Sequence, residues 1–364
     1  MSEALYQIYP WQHAAWQQIT HLRQRMPHAL LFYGPQGSGK SDFAEYLAKA
    51  LLCENVAPAG EAGADGHGHA DHAGHACGKC VSCTWFDLGN HPDYRRVRPE
   101  MLEDEPGEEA EADSKKTAKA SKTPSKEIKI DQIRALADFM NISTHRQGLR
   151  VVVLYPAEAL NMAASNALLK TLEEPPPGTV FLLVTHRLDR LLPTILSRCR
   201  QFALNLPDQA SSLAWLKQQG VAGAEQWLAE QGGAPLLARQ MAQEGNRDEL
   251  DWFLQQLVQI GQGGQGGSEA VLKSAEKLAK TAPGQLLAWL QRWLYDLFSY
   301  KLAGKIRYYP QHQKRIADLA QKADLHALLH ALKLINRRRA IVDHPLAPKL
   351  FIEDMLFDYQ ALYA

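Results

Sequence analysis

The stretch HALLFYGPQGSGKSDFAEYLAKALL occupies residues 28–52 and decides the fold. Residues 28–33 are mostly apolar and predict a short buried strand, and residues 42–52 show the periodicity of an amphipathic helix. Between them, residues 34–41 satisfy the pattern GxxxxGK[ST] of a phosphate-binding loop, or P-loop. A strand, a glycine-rich loop and a helix in this order predict an α/β nucleotide-binding fold.

The P-loop residues have distinct chemical roles in such a site. The glycines let backbone N–H groups approach the phosphates, Lys40 would reach the β- and γ-phosphates, and Ser41 would ligate Mg²⁺. ATP or ADP with Mg²⁺ is therefore the expected ligand, and the alternative is a loop that keeps the shape and binds nothing. The candidate nucleotide-binding residues are Gly34, Gly37, Ser38, Gly39, Lys40 and Ser41.

The alternation of strands and helices continues further along the chain. A helical pattern resumes at residue 128, and apolar runs at 150–155 and 179–185 predict two more buried strands. Residues 161–178 predict a helix that three prolines end, and residues 191–202 predict a short helix with an extended exit. This order predicts a parallel sheet of the α/β class.

The strand expected at 150–154 lacks the acids that ATP hydrolysis needs. A P-loop ATPase normally ends such a strand with an acid for Mg²⁺, often followed by one that activates water. Here Tyr155 and Pro156 follow, and neither can hold Mg²⁺ or accept a proton from water. Glu158 is the nearest acid, at an unfavourable position two residues further on. The sequence therefore predicts poor hydrolysis.

Three cysteines, Cys77, Cys80 and Cys83, have the spacing of a metal site. Tetrahedral Zn²⁺ requires a fourth ligand. Cys53 is the natural candidate, and four histidines compete with it. The pattern predicts a structural zinc ion. The competing histidines are His67, His69, His72 and His75.

Composition limits the function classes. The 364 residues are 46% hydrophobic and 22% charged, with 40 basic and 40 acidic side chains, so a free-standing nucleic-acid binder with a basic excess is excluded. Residues 54–76 and 100–126 have almost nothing to bury and are expected to be disordered insertions. The N-terminal stretch has no signal pattern and no apolar run could span a bilayer, so we expect a cytoplasmic protein.

The strand pattern ends near residue 206. Residues 208–245 predict a few short helices, and residues 268–364 predict amphipathic helices whose apolar stripes suit a helical bundle or a subunit contact. The run GQGGQGG at 261–267 is expected to be a flexible break between helices.

Two further motifs carry a family resemblance. SNALLKTLEEPP at 165–176 and LSRCR at 196–200, together with the P-loop and the cysteine cluster, resemble the bacterial clamp-loader subunits of the AAA+ class. The resemblance extends from Tyr9 to about Phe202 and continues weakly to residues 344–356, which are similar to the closing helix of the family.

The departures from the family pattern favour its stator member over its motor members. Motor subunits carry an Asp-Glu pair where this chain has Tyr155 and Pro156, and an arginine in a Gly-Ser-x-Arg motif where this chain has residues 233–236, GAPL. Stator members often have a degraded P-loop, whereas this one is intact. An ATP-hydrolysing motor subunit and a zinc-stabilised DNA-binding module are the alternatives.

The resemblance implies a role within a ring of subunits. The partners would be the motor subunits (gamma/tau), delta, the sliding clamp and, within the complex, primer–template DNA. Arg198 would enter the ATP site of the neighbouring motor subunit as an arginine finger, although by itself an arginine there is equally compatible with a simple surface role. Thr185 would occupy the sensor-1 position, and Cys53, Cys77, Cys80 and Cys83 would hold zinc.

The resemblance also implies a three-part architecture. Residues 1–206 would form the AAA+ nucleotide-binding-type domain with the zinc module. Residues 207–247 would form a small helical lid. Residues 248–364 would form a helical collar that joins the ring.

Overall fold

A computed structural model describes residues 7–56, 74–103, 124–141, 144–145, 148–245, 247–263, 265–339, 342 and 347–363. The chain divides into two compact units, Met1–Leu206 and Pro207–Ala364. The first unit contains a sheet covered by helices, and the second contains only helices among its described residues. The interiors of the two expected insertions, residues 57–73 and 104–123, lie outside the described residues.

The first unit is built on a five-stranded parallel sheet. Its strands are β1 (Ala29–Tyr33), β2 (Tyr94–Val97), β3 (Arg150–Leu154), β4 (Thr179–Thr185) and β5 (Arg200–Ala203). They lie in the order β2-β3-β4-β1-β5, and every pair is parallel. The parallel α/β sheet expected from the alternating pattern is therefore confirmed.

Helices cover both faces of this sheet. Along β1, Leu30 and Phe32 pack into one apolar cluster and Ala29 and Leu31 into another, as the alternation of side chains along a strand requires. Burial on both faces explains why the central strands are continuous apolar runs. The helices of this unit are α1 (His13–His21), α2 (Lys40–Leu52), α3 (Val81–Asp87), α4 (Ile130–Asn141), α5 (Met162–Glu173) and α6 (Pro193–Leu196).

The strand register fixes where a ligand would bind. Tyr33 at the end of β1 pairs with Thr185 at the end of β4, and Leu154 at the end of β3 pairs with Leu183. The carboxyl ends of these three strands therefore meet at one edge of the sheet. Open parallel sheets bind their ligands at this edge.

In the second unit, the helices from residue 247 onward surround one apolar core. Trp293 is fully buried in it and donates its indole N–H to the hydroxyl of Tyr359 at 2.9 Å. Its helices are α7 (Gln209–Gln218), α8 (Ala224–Glu230), α9 (Pro235–Glu244), α10 (Arg247–Gln262), α11 (Gln265–Lys277), α12 (Pro283–Ala303), α13 (Gln313–Lys322), α14 (Leu325–Arg339) and α15 (Pro348–Gln360).

The expected flexible break at 261–267 is wrong for most of its length. Helix α10 includes Gly261, which is buried against Leu319, and helix α11 includes Gly266 and Gly267. A glycine at 261 suits a close contact, because an added Cβ would lie 2.8 Å from the Leu319 side chain. Packing thus overrides the low helix propensity of glycine here.

The ends of the two expected insertions are ordered. Residues 74–76 are the last residues of the first insertion, and His75 stacks on Trp16 of α1. At the start of the second insertion, Glu100–Leu102 forms a short 3₁₀ helix whose Glu100 pairs with Lys129 at 2.7 Å. Among the described residues, no helix is both long and apolar enough to cross a membrane.

Candidate functional site

The P-loop lies between β1 and α2 and has the backbone that its glycines permit. Gly37 and Gly39 have φ angles of 80° and 81°, in the left-handed region that side chains rarely adopt. A Cβ at Gly39 would also lie 2.6 Å from the Tyr9 ring and 2.8 Å from the amide nitrogen of Gln12. Glycine is therefore required at this position on both grounds.

The segment before α1 holds the loop in place. The Trp11 indole N–H donates to the carbonyl of Ser38 at 3.0 Å, and the Gln12 amide donates to the carbonyls of Ser38 and Gly39 at 2.9 Å. Tyr9 donates its hydroxyl to Asp42 in the first turn of α2 at 2.7 Å. These contacts connect both sides of the loop to a segment that precedes it by some 27 residues. The sequence carried no motif that signalled this role for Trp11 and Gln12.

Lys40 is buried at the first position of α2, with 2% of its surface exposed. Its ammonium donates to the carbonyl of Pro35 at 2.6 Å and to the Ser38 hydroxyl at 3.3 Å. Burial lowers the pKa of Lys40 to about 8, and the nearby carboxylate of Glu158 partly opposes this shift. The Lys40 ammonium thus lies inside the P-loop, which is the position that a phosphate ligand requires.

Glu158 lies closer to this site than its sequence position suggests. A short 3₁₀ helix after β3, Ala157–Ala159, turns Glu158 toward the carboxyl end of β4. One carboxylate oxygen accepts the Thr185 hydroxyl at 2.7 Å, and the other accepts the backbone N–H of His186 at 3.0 Å. Thr185, expected at the sensor-1 position, is fully buried beside the end of β1.

The residue that replaces the usual acid makes a different contact. The Tyr155 hydroxyl lies 3.3 Å from Nε2 of His186, with the two rings edge to face. Burial and the charge of Lys40 lower the pKa of His186 to about 4, so its ring is neutral near pH 7. Its Nδ1 is buried without a hydrogen-bond partner among the described residues.

Arg198 follows α6 on the same unit and is partly exposed. Its guanidinium forms an ion pair with Glu173 at 2.6 Å and donates to the carbonyl of Thr194 at 2.9 Å. About a third of its side chain, 32%, is exposed, whereas Cys199 beside it is buried in the core. The motifs at 165–176 and 196–200 are therefore joined by a direct contact, which sequence reasoning missed.

The four predicted cysteines come together at the end of α2 and the start of α3. The sulfur atoms of Cys53, Cys77, Cys80 and Cys83 all lie within 4.8 Å of one another, a spacing compatible with a tetrahedral thiolate site. Backbone N–H groups of Lys79 and Cys80 donate to the sulfur of Cys77 and lower its pKa to about 6. Such donors favour the thiolate that binds metal.

Of the four competing histidines, only His75 lies among the described residues. It stacks on Trp16 with ring centroids 4.8 Å apart, and its Nδ1 lies 3.0 Å from the Tyr46 hydroxyl. His75 is not part of the cysteine cluster. The cluster fits zinc through sulfur alone, and the ion would link Cys53 at the end of α2 to the loop and the first turn of α3.

The parallel sheet, the P-loop after β1 and the four-cysteine cluster define an α/β P-loop protein with a candidate metal site. A family model described as DNA polymerase III, delta subunit, matches residues 11–208, more than half of the chain. A second model, the C-terminal part of the delta subunit, matches residues 249–361. The chain belongs to this DNA polymerase III delta-subunit family.

Curated relatives agree with the family models. DNA polymerase III subunit delta' of Pseudomonas aeruginosa is 41% identical over 66% of this chain and 63% of the relative. The chain therefore spans slightly less than two thirds of that protein. Subunit delta' of Haemophilus influenzae is 27% identical over 92% of this chain and 90% of the relative. A solved gamma-subunit-related protein of Thermotoga maritima, 19% identical, covers 96% of this chain and 99% of its own, with a TM-score of 0.43.

Proposed function

We propose that this chain is the stator subunit, delta prime, of a bacterial clamp loader and acts in the cytoplasm. It would join delta and the motor subunits (gamma/tau) in a ring that places the sliding clamp on primed DNA. The observation that carries the stator role is the end of β3, where Tyr155 and Pro156 replace the acids of a motor site. The delta' names of the curated relatives support the same assignment.

The P-loop of this subunit would hold ATP or ADP without turning it over at an appreciable rate. Lys40, Ser41 and the backbone of the loop supply the phosphate contacts and a Mg²⁺ ligand. Glu158 is the nearest acid, and both of its oxygens already accept hydrogen bonds from Thr185 and His186. Bound nucleotide would then contribute to the shape of the subunit rather than to chemistry.

Arg198 would act in the ATP site of the adjacent motor subunit. Its guanidinium is partly exposed at the end of α6, and its planar fork of N–H donors suits a phosphate. In well-studied NTPases an arginine finger raises the rate by roughly 10³–10⁵. The reaction would thus occur on the neighbour, with this chain supplying one positive charge to the transition state.

The helical unit would supply the remaining contacts with the ring. We assign residues 207–247 to a lid and residues 248–364 to a collar that joins the other subunits. The four cysteines would hold a structural zinc ion in the first unit, where it stabilises the link between α2 and α3.

The second candidate is a motor ATPase of the same complex, which the intact P-loop favours. Reconstitution distinguishes the two candidates. The chain is mixed with its motor and delta partners, and ATPase and clamp loading are measured with Lys40→Ala in this chain. A stator retains most of the ATPase of the complex in this variant, whereas a motor subunit loses its own share of the turnover.

A further inference from the structure

The ion pair between Glu173 and Arg198 connects two motifs through residues that are 25 positions apart in the chain. Glu173 is the last residue of α5, and Arg198 lies two residues after the end of α6. The carboxylate contacts one terminal nitrogen of the guanidinium at 2.6 Å. The other terminal nitrogen donates to the Thr194 carbonyl at 2.9 Å.

We propose that Glu173 is the positioning residue for Arg198, a role that rests on the proposed trans action of that arginine. The carboxylate and the Thr194 carbonyl hold the guanidinium at both terminal nitrogens, so its plane is fixed before the neighbour's nucleotide arrives. Helices α5 and α6 pack on the same apolar cluster, through Leu168, Leu172 and Ile195, so the two groups that hold Arg198 are themselves held by the core.

The number of donors on arginine makes this arrangement compatible with phosphate binding. A guanidinium has five N–H groups, and the contacts with Glu173, Thr194 and the Ser197 hydroxyl leave others for a ligand. A free arginine side chain loses rotamer entropy when it is fixed. Fixing it in advance removes part of this loss from the catalytic step.

A purely structural role fits the same contact less well. The Glu173 side chain is 48% exposed and that of Arg198 is 32% exposed. Ion pairs with this exposure contribute little to stability. Removing Glu173 should therefore leave folding and assembly unchanged and affect only where Arg198 points.

The neighbouring acid provides a matched control. Glu174 is the next residue in the same motif and is also exposed, but the ion pair with Arg198 is made by Glu173. Glu174→Gln removes the same charge from the same surface. An effect of general surface electrostatics would appear in both variants, whereas positioning is specific to Glu173.

The test is the ATPase of the reconstituted loader with primed DNA and clamp, in which only the motor site that faces Arg198 is left able to hydrolyse ATP. Glu173→Ala should lower kcat about tenfold at unchanged KM for ATP, because the finger acts in the transition state. Glu173→Gln, which keeps an acceptor at this position, should recover part of the rate, and Glu174→Gln should match the wild type. Thermal unfolding and complex assembly should be unchanged in all three.

The double variant Glu173→Ala/Arg198→Ala decides between positioning and an independent effect. Positioning predicts that it is no slower than Arg198→Ala alone, because there is no finger left to orient. Two results would overturn the positioning role of Glu173 while the arginine-finger role of Arg198 still stands. One is an additive loss of rate in the double variant, and the other is a wild-type rate in Glu173→Ala while Arg198→Ala is slow. A wild-type rate in Arg198→Ala would instead overturn the proposed function on which it rests.

Discussion

The Thr185 hydroxyl donates to the carboxylate of Glu158 at 2.7 Å, across the carboxyl ends of β4 and β3. The second carboxylate oxygen accepts the backbone N–H of His186 at 3.0 Å. Glu158 therefore stands at the ligand-binding edge of the sheet and close enough to Lys40 to oppose the shift of its pKa. Glu158 is nevertheless held by Thr185 and His186. It does not lie at the end of β3, where a hydrolytic site has its acids.

The first prediction concerns hydrolysis by the chain alone. We expect negligible ATP turnover, because no acid follows β3 directly and Glu158 is held by Thr185 and His186. The release of phosphate from ATP by the purified chain measures this turnover, and the rate of the Lys40→Ala variant gives the background. Substantial turnover that Lys40→Ala abolishes would show a motor subunit.

The second prediction concerns the pH dependence of nucleotide binding. The pKa of Lys40 is about 8 because of burial, and only the charged form attracts phosphate. Raising the pH from 7 to 9 removes this charge, so the affinity for ADP should fall about tenfold if phosphate binding keeps the lysine protonated. Calorimetric titration at the two pH values measures the change.

Lys49 supplies the matched control for this effect. It lies on the same helix as Lys40 but pairs with Asp87 at 2.6 Å, away from the loop. Lys49→Ala should keep the pH dependence of the wild type, whereas Lys40→Ala should bind weakly at both pH values. Equal wild-type affinity at pH 7 and pH 9 would contradict the role assigned to Lys40.

The third prediction concerns the metal. Four thiolates within 4.8 Å of one another should retain about one Zn²⁺ per chain, and Cys77→Ser/Cys80→Ser should reduce this to near zero and lower the unfolding temperature. Cys199→Ser is the control, because Cys199 is buried outside the cluster. Elemental analysis of the purified variants measures the content. Full zinc occupancy in the double variant would refute the thiolate site.

The fourth prediction concerns a buried ion pair in the helical unit. Glu230 at the end of α8 is fully buried, and Arg247 at the start of α10 donates to both of its oxygens at 2.7 and 3.2 Å. Burial raises the pKa of Glu230 to about 7, so the pair is fully charged only above this pH. At pH 9, Arg247→Ala leaves this carboxylate without its cation and should lower the free energy of unfolding by about 3–5 kcal/mol. Urea denaturation measures the loss.

A second substitution tests the cause of that loss. Arg247→Ala/Glu230→Gln removes the uncompensated charge and should recover a large part of the stability. If the double variant is as unstable as Arg247→Ala, the loss comes from other contacts of the arginine, which also stacks 4.6 Å from the Trp227 ring.

Local chemistry made much of the first unit predictable. Its recognisable patterns depend on residues that lie near one another in the sequence. These patterns are the P-loop, the buried strands β1, β3 and β4, and the cysteine cluster. Strand β2 was not predicted, since its sequence YRRV is mostly polar and lies at the edge of the sheet. The prediction of a flexible break at 261–267 was wrong because tertiary packing holds glycines of this run within helices.

The contacts across the chain had no sequence signal. Glu158 reaches Thr185 because the short 3₁₀ helix after β3 turns it toward the end of β4. Counting residues from the end of the strand could not predict this turn. The hydrogen bond of Gln12 to the P-loop and the ion pair of Glu173 with Arg198 were equally unpredictable, because both depend on how distant segments of the chain pack. Motifs identified these residues or their neighbours, but only the fold paired them.

The most direct test of the proposed function is the ATPase of the reconstituted clamp loader with Arg198→Ala in this chain alone. We predict that the complex assembles normally and that turnover at the motor site facing this arginine falls by roughly 10³ or more, as expected for an arginine finger. The motor sites that face other subunits would keep their activity, so single-turnover measurements with only the adjacent site active give the clearest readout. An unchanged rate at that site would contradict the account.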